Sequence, residues 1–118
     1  MKIYTYAKCA TCRKAVKWLT ENGIAFKEVP IRDQPPSPDE LKLMLSYYKG
    51  DVRKLFNTSG VDYRSLGLKD KLPVMSQTEA INLLAGNGNL VKRPFLLDHE
   101  KGLLGFQMAE WESLKASR

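Results

Sequence analysis

Two cysteines stand three residues apart near the start of the chain, in the stretch Cys9-Ala10-Thr11-Cys12. A strand ending near Tyr6 and a helix beginning near Ala10 would put Cys9 at the cap or in the first turn of that helix. Unpaired backbone N–H groups and the helix dipole stabilise an anion there. Because the thiolate is the nucleophilic form of cysteine, the spacing predicts that Cys9 is an activated nucleophile.

Cys12 supplies a second thiol on the same side of the helix, one turn deeper. It can attack a mixed disulfide formed at Cys9 and release the second partner, which makes it the predicted resolving thiol. The alternative is that both cysteines are small apolar residues near a helix start, but a C-x-x-C pair at a strand-to-helix junction favours a redox pair. Lys8 and Arg13 flank the site, and we expect both cations to favour the thiolate and to bind anions.

The first elements of the chain must position these thiols. Residues 2–6 are β-branched and aromatic, which predicts a strand, and residues 26–31 predict a second one. Between them, apolar residues at intervals of three and four predict a helix over 10–21. A strand, helix, strand unit of this length implies a right-handed parallel crossover.

The rest of the chain is first helical and then returns to strands. A proline-rich segment at 34–38 opens the helical stretch, in which Ser76 and Glu79 predict a capping box. Segments 95–98 and 103–106 flank a turn and predict a β-hairpin, and residues 108–115 predict a closing helix.

This order predicts an α/β protein of thioredoxin-like fold, β-α-β followed by β-β-α, with an inserted helical subdomain. We expect a single domain over 1–118, with the thioredoxin-like core at 1–34 and 90–118 and the helical insertion at 35–89. The length of 118 residues, with 43% hydrophobic and 27% charged residues, is enough for one domain with its own core.

Arg93 and Pro94 precede the predicted hairpin. A proline entering a strand can hold a cis peptide bond, which turns the preceding side chain toward a neighbouring site. In a thioredoxin-like fold this turn lies beside the reactive cysteine. Arg93 is therefore predicted to face Cys9 and bind a carboxylate, an oxyanion or the thiolate, and the alternative is an ordinary surface charge.

Composition limits the partners and the compartment. The formal net charge of +6 favours acidic partners such as an anionic thiol, but the basic residues are scattered and no motif predicts direct nucleic-acid binding. Two cysteines and one histidine, His99, are too few for a typical metal site, so none is predicted. No apolar run is long enough to cross a membrane, and the N-terminal residues lack a signal-peptide pattern, so we expect the chain in the cytoplasm.

Three segments resemble the arsenate reductase and Spx family. The resemblance covers nearly the whole chain and is carried by Tyr4 to Ala15 with Trp18-Leu19, by Lys92-Arg93-Pro94-Phe95-Leu96 and by Leu104-Gly105-Phe106. It implies a thioredoxin-like core with a helical insertion, Cys9 as the nucleophile and no bound cofactor. Glutathione is then the implied co-substrate, with glutaredoxin or thioredoxin as a protein partner.

The resemblance leaves three functions open. A glutathione-dependent thiol reductase is favoured, since the Asn57-Thr58 and Leu104-Gly105-Phe106 segments look more like that branch. A regulator resembling Spx would use the disulfide as a redox switch and bind the C-terminal domain of the RNA polymerase α subunit. Arsenate reduction is disfavoured because Asn57 stands where those enzymes have an arginine, and Gly105-Phe106-Gln107 stands where they have Gly-Arg-Pro.

Overall fold

The computed structural model describes residues 1–116 and contains a four-stranded sheet in the order β2-β1-β3-β4. Strand β1 pairs in parallel with β2 and antiparallel with β3, which pairs antiparallel with β4. This is the sheet of a thioredoxin-like fold, so the predicted fold class is confirmed. The strands are β1 (Lys2–Thr5), β2 (Lys27–Pro30), β3 (Phe95–Leu97) and β4 (Gly102–Leu104).

Helix α1 makes the crossover from β1 to β2, and four further helices lie within the predicted insertion. The closing helical segment differs from its prediction, because it is divided at Glu112 into two short helices. Short 3-10 turns cover Val52–Leu55, Leu72–Val74 and Gly88–Leu90. The helices are α1 (Ala10–Glu21), α2 (Pro38–Tyr47), α3 (Val61–Ser65), α4 (Leu68–Lys71), α5 (Gln77–Gly86), α6 (Met108–Trp111) and α7 (Ser113–Ala116).

Each face of the sheet is covered by its own hydrophobic cluster, because side chains alternate between the faces of a strand. On one face Tyr4 and Phe95 pack with residues from α2 to α5, so the inserted helices share a core with the sheet. On the other face Ile3 and Leu96 pack against α1 and the closing helices. The second cluster includes Trp111, which is fully buried.

A hydrogen-bonded carboxylate connects the helical segment to the sheet. Glu40 and Ser37 form a complete capping box at the start of α2. Glu40 also accepts hydrogen bonds from Tyr4 Oη at 2.6 Å and from Lys2 Nζ at 3.0 Å. The box predicted at Ser76 is only half formed, since Ser76 Oγ accepts from Glu79 N while the Glu79 side chain turns to the Ser76 hydroxyl instead.

Gly88 lets the loop after α5 pass against the backbone beyond β2. A Cβ added there would overlap the carbonyl group of Ile31, with its carbon 2.7 Å away. We expect Gly88→Ala to lower the free energy of unfolding by about 1–3 kcal/mol, measured by urea denaturation. Gly86→Ala is the matched control, because nothing lies within 4 Å of its added Cβ. Equal effects of the two substitutions would contradict the close approach at Gly88.

Candidate functional site

Cys9 is the N-cap residue of α1. Its backbone is extended, with φ −95° and ψ 112°, and its Sγ accepts a hydrogen bond from Cys12 N at 3.3 Å. Cys9 N donates to Tyr6 O at 3.0 Å, and Cys9 O accepts the first hydrogen bond of the helix from Arg13 N at 3.1 Å. The sulfur therefore occupies the place that a serine or aspartate oxygen takes in an ordinary cap.

Opposing effects act on the Cys9 thiol, which is half-buried. Burial raises its pKa, but hydrogen bonds from the Cys12 side chain and backbone, and the hydrogen bond and charge of Arg93, lower it. The net result is a pKa below the ordinary value of a thiol. A lowered pKa increases the fraction of thiolate at neutral pH, and with it the rate of nucleophilic attack.

Cys12 has the opposite properties. It is 1% exposed on the inner face of α1. Burial raises the pKa of its thiol to about 12, helped by the hydrogen bond and the charge of Cys9. At neutral pH the pair therefore consists of an accessible thiol that ionises readily and a buried thiol that keeps its proton.

Arg93 stands beside the sulfur, and the peptide bond between Arg93 and Pro94 is cis. The Arg93 guanidinium lies 5.0 Å from the centre of the Tyr6 ring, and a second guanidinium, that of Arg32, lies 4.9 Å from the same centre. Arg32 also donates to Tyr6 Oη at 2.8 Å. One half-buried tyrosine thus contacts two guanidiniums, and one of them, that of Arg93, interacts with Cys9.

Lys8 and Arg13 are placed differently from Arg93. The Arg13 guanidinium donates to Ala7 O at 2.9 Å, and Lys8 is exposed. The cation among the groups that set the pKa of Cys9 is Arg93. Lys8 and Arg13 were expected to favour the thiolate because they flank Cys9 in the sequence. In the structure the Arg13 side chain instead binds the carbonyl oxygen of Ala7.

A cavity of about 210 Å³ opens beside this pair of arginines. Its wall includes Asn57, which in the resemblance described above stands in place of an arginine of the arsenate reductases. Arg32, Asp62 and Asn89 lie in the same wall and were not predicted from the sequence. A signal existed for Arg32, because the carboxyl ends of two paired parallel strands meet at one edge of a sheet, and Arg32 follows β2 as Tyr6 follows β1. The cavity is lined by Tyr6, Arg32, Asn57, Asp62, Asn89 and Arg93, among others.

Within residues 1–116, no group of three or more His, Cys, Asp or Glu side chains could hold a metal ion. The imidazole of His99 is 89% exposed in the turn between β3 and β4. Across the same residues, no helix has the length and apolar character needed to span a bilayer.

Comparison with known proteins agrees with this geometry. The sequence model of the ArsC family matches residues 4–114. The chain belongs to the ArsC family. Proteins named as arsenate reductases and as Spx regulators are both among its relatives and structural neighbours, and the family is one of thiol-based redox proteins.

Three known proteins match nearly the whole chain. An uncharacterized protein of Bacillus subtilis, YusI, is 48% identical over 112 residues, with 95% of each chain covered. The global transcriptional regulator Spx of Streptococcus mutans is 31% identical over 108 residues, which cover 92% of this chain and 77% of Spx. The crystal structure of an ArsC family related protein from Bacteroides fragilis has a TM-score of 0.91 at 46% identity, covering 96% of this chain and 95% of that one.

Proposed function

We propose that this chain is a cytoplasmic thiol–disulfide oxidoreductase that reduces disulfides at the expense of glutathione. The observation that carries the proposal is the contrast between its two thiols. Cys9, at the cap of α1, has a lowered pKa, while Cys12, one turn deeper and buried, has a pKa of about 12. An accessible attacking thiolate with a buried second thiol in reach is what stepwise disulfide exchange requires.

The proposed reaction is a sequence of thiol–disulfide exchanges. The Cys9 thiolate attacks one sulfur of a disulfide RS–SR′, forms Cys9–S–S–R and releases R′S⁻, which takes up a proton. Cys12 then loses its proton, attacks Cys9 Sγ and releases RS⁻, leaving a Cys9–Cys12 disulfide. Two molecules of glutathione, or a reduced glutaredoxin or thioredoxin, restore the two thiols and become oxidised. No bound cofactor takes part.

The charge of the Cys9 thiolate raises the pKa of Cys12, so the reaction of Cys9 changes the reactivity of Cys12. Burial raises the pKa of Cys12 most, and the hydrogen bond and charge of Cys9 add to it. Once Cys9 is held in a mixed disulfide its negative charge is gone, so the pKa of Cys12 falls. Cys12 therefore becomes a better nucleophile at the moment when resolution is needed. Free glutathione, which is not buried, can resolve the same mixed disulfide in competition.

Alkylation by iodoacetamide across pH tests the lowered pKa of Cys9. Because only the thiolate reacts, the rate rises with pH and reaches half its plateau at the pKa of the thiol. We expect this midpoint for Cys9 to lie below that of a free thiol, which is about 8.5. Cys12 should stay unmodified in the folded protein throughout the neutral range. A Cys9 midpoint equal to that of free cysteine would reject the proposed function.

Two arginine variants separate the sources of this shift. Arg93→Gln removes a cation and a hydrogen-bond donor that stabilise the thiolate, so the midpoint should move to higher pH. Arg13→Gln is the matched control, because the Arg13 guanidinium donates to Ala7 O. It should leave the midpoint within a few tenths of a pH unit of the parent. An equal shift in both variants would show a general charge effect in place of a specific role for Arg93.

A second candidate function is redox-controlled binding to the α chain of RNA polymerase. Its support is the 31% identity to Spx over 92% of this chain. Oxidation of Cys9 and Cys12 would then change a docking surface in place of completing a catalytic cycle. Binding of the purified C-terminal domain of α to the reduced and to the oxidised protein tests this function, and absence of binding in both states removes it.

Arsenate reduction is the third candidate, and we expect it to be negligible. Asn57 lies in the cavity wall at the position where the arsenate-reducing enzymes carry an arginine. A neutral amide can donate to an oxyanion, but it lacks the positive charge and the bidentate geometry of a guanidinium. An assay with arsenate, glutathione and glutaredoxin should show no turnover above the rate without protein. Substantial turnover would show that Arg93 and Arg32 suffice to hold arsenate.

A further inference from the structure

The cavity beside Arg93 combines groups of both charge signs. Arg32 and Arg93 both line it, and their guanidiniums lie 4.9 and 5.0 Å from the Tyr6 ring centre. The carboxylate of Asp62 lies in the same wall. We propose that this cavity binds an amino-acid head group, an α-carboxylate beside an α-ammonium, on the small thiol whose disulfide Cys9 attacks. This proposal deepens the reductase function and rests on it for the identity of the reacting sulfur.

The two arginines in the cavity wall suit a carboxylate ligand. Within residues 1–116 neither Arg32 nor Arg93 has a carboxylate oxygen within 4 Å. Tyr6 contacts both guanidiniums through its ring and accepts a hydrogen bond from Arg32 at Oη. Two cations in the wall of one cavity attract an anion, and a guanidinium matches the planar geometry of a carboxylate.

Asp62 gives the same cavity a carboxylate that suits a cation. Asp62 Oδ2 accepts hydrogen bonds from Asn87 Nδ2 at 3.1 Å and from Asn89 Nδ2 at 3.3 Å. These two amides fix the carboxylate, and both bonds use the same oxygen, so Oδ1 is left for a ligand. A carboxylate oxygen accepts hydrogen bonds, and an ammonium group is a donor with the opposite charge. The same negative charge opposes a phosphate or another multiply charged anion in this cavity.

Arg93 interacts with the Cys9 thiol and also lies in the cavity wall. Its guanidinium lowers the pKa of Cys9. A head group bound there therefore carries its attached sulfur toward Cys9. The volume of about 210 Å³ accommodates the few heavy atoms of such a group while the rest of the molecule extends out to the sulfur. Two small thiols carry such a head group: glutathione, at its γ-glutamyl end, and free cysteine.

Calorimetric titration with S-methylglutathione tests the cavity apart from catalysis, because this ligand cannot form a disulfide. We expect saturable binding to the wild-type protein, and a dissociation constant raised about tenfold or more in Asp62→Asn and in Arg32→Gln, since each removes a charge-assisted hydrogen bond. Asp70→Asn and Arg64→Gln are matched controls, because both residues are exposed and neither lines this cavity. They should bind the ligand as the wild-type protein does.

Modified ligands identify which group meets which side chain. N-Acetylation of S-methylglutathione removes the ammonium charge, so it should weaken binding to the wild-type protein about tenfold but have little further effect on Asp62→Asn. S-Methylcysteine distinguishes the two thiols, since preference for it would assign the cavity to free cysteine. Undiminished binding of the acetylated ligand would overturn the zwitterion proposal.

The two proposals fail in different ways. Absence of binding by both S-methyl ligands, in a protein whose Cys9 still alkylates with a low midpoint, would overturn the head-group site and leave the reductase intact. Saturable binding that depends on Asp62, in a protein whose Cys9 behaves as a free thiol, would support the cavity and reject the reductase. Thermal unfolding of each variant separates loss of binding from loss of folding.

Discussion

Cys9→Ser should abolish disulfide reduction. A serine hydroxyl cannot form a disulfide and does not ionise at neutral pH, so no mixed intermediate can arise. We expect turnover of bis(2-hydroxyethyl) disulfide, with glutathione and glutathione reductase as the coupled system, to fall to the rate of glutathione alone. Loss of an essential nucleophile commonly costs about 10³-fold or more. Activity within tenfold of the parent would exclude Cys9 as the nucleophile.

Variants of Cys12 show whether the second thiol is needed for turnover, as Cys9 is expected to be. Cys12→Ser keeps a hydroxyl that can donate to the Cys9 sulfur, and glutathione can still resolve the mixed disulfide. This variant should retain turnover within about tenfold of the parent and should accumulate glutathionylated Cys9, detectable by mass spectrometry. Cys12→Ala removes the donor, so the pKa of Cys9 should rise and attack should slow. Equal loss in Cys9→Ser and Cys12→Ser would instead indicate that both thiols are required for the first step.

The position of the thiols could be predicted because local signals determine it. The change from a strand pattern to a helical one between Tyr6 and Ala10 fixes where α1 begins, and Cys9 is its cap. The helical period then places Cys12 on the face that Ala15 and Leu19 bury against the sheet. These relations depend on residues within one or two turns of each other.

The rest of the candidate site depends on contacts between distant segments. Arg32 and Asp62 are thirty residues apart, and neither belongs to a periodic pattern that would mark it. Their meeting is set by how the helical segment packs over the sheet, which single-sequence reasoning does not provide. Lys8 and Arg13 were expected to favour the thiolate because they are close to Cys9 in sequence, whereas the cation that lowers the pKa of Cys9 is Arg93, which the Arg93-Pro94 turn had predicted to face that thiol.

The fold was more predictable than the exact ends of its elements. Two short apolar runs on either side of a turn predict the hairpin of β3 and β4, and the proline-rich segment at 34–38 predicts where α2 begins. The structure adds a capping box at Ser37. The C-terminal pattern indicated one helix over 108–115, but the structure has two short helices. There Ser113 Oγ donates to Glu110 O at 2.6 Å, a local side-chain bond of the kind that competes with regular helix hydrogen bonding.

Trp111→Ala should cause the largest loss of stability. The indole is fully buried, its ring centre lies 5.0 Å from that of Phe106 and 5.9 Å from that of Trp18, and its Nε1 donates to Gly105 O at 3.0 Å. Truncation removes this packing and leaves a cavity, at a cost of about 3–5 kcal/mol. Since small domains are stable by about 5–15 kcal/mol in total, urea denaturation should show a much lower midpoint.

Trp111→Phe separates packing from hydrogen bonding, because it keeps a ring but removes the indole donor and leaves the Gly105 carbonyl without it. It should cost about 1–3 kcal/mol, less than the alanine variant. Through Trp18 the same cluster packs against α1, whose N-cap residue is Cys9. Below its unfolding temperature Trp111→Ala should keep the Cys9 alkylation midpoint of the parent, since none of the groups that set this pKa has changed. A shifted midpoint in the folded variant would mean that the second hydrophobic cluster determines the position of α1, and with it the chemistry of the sulfur.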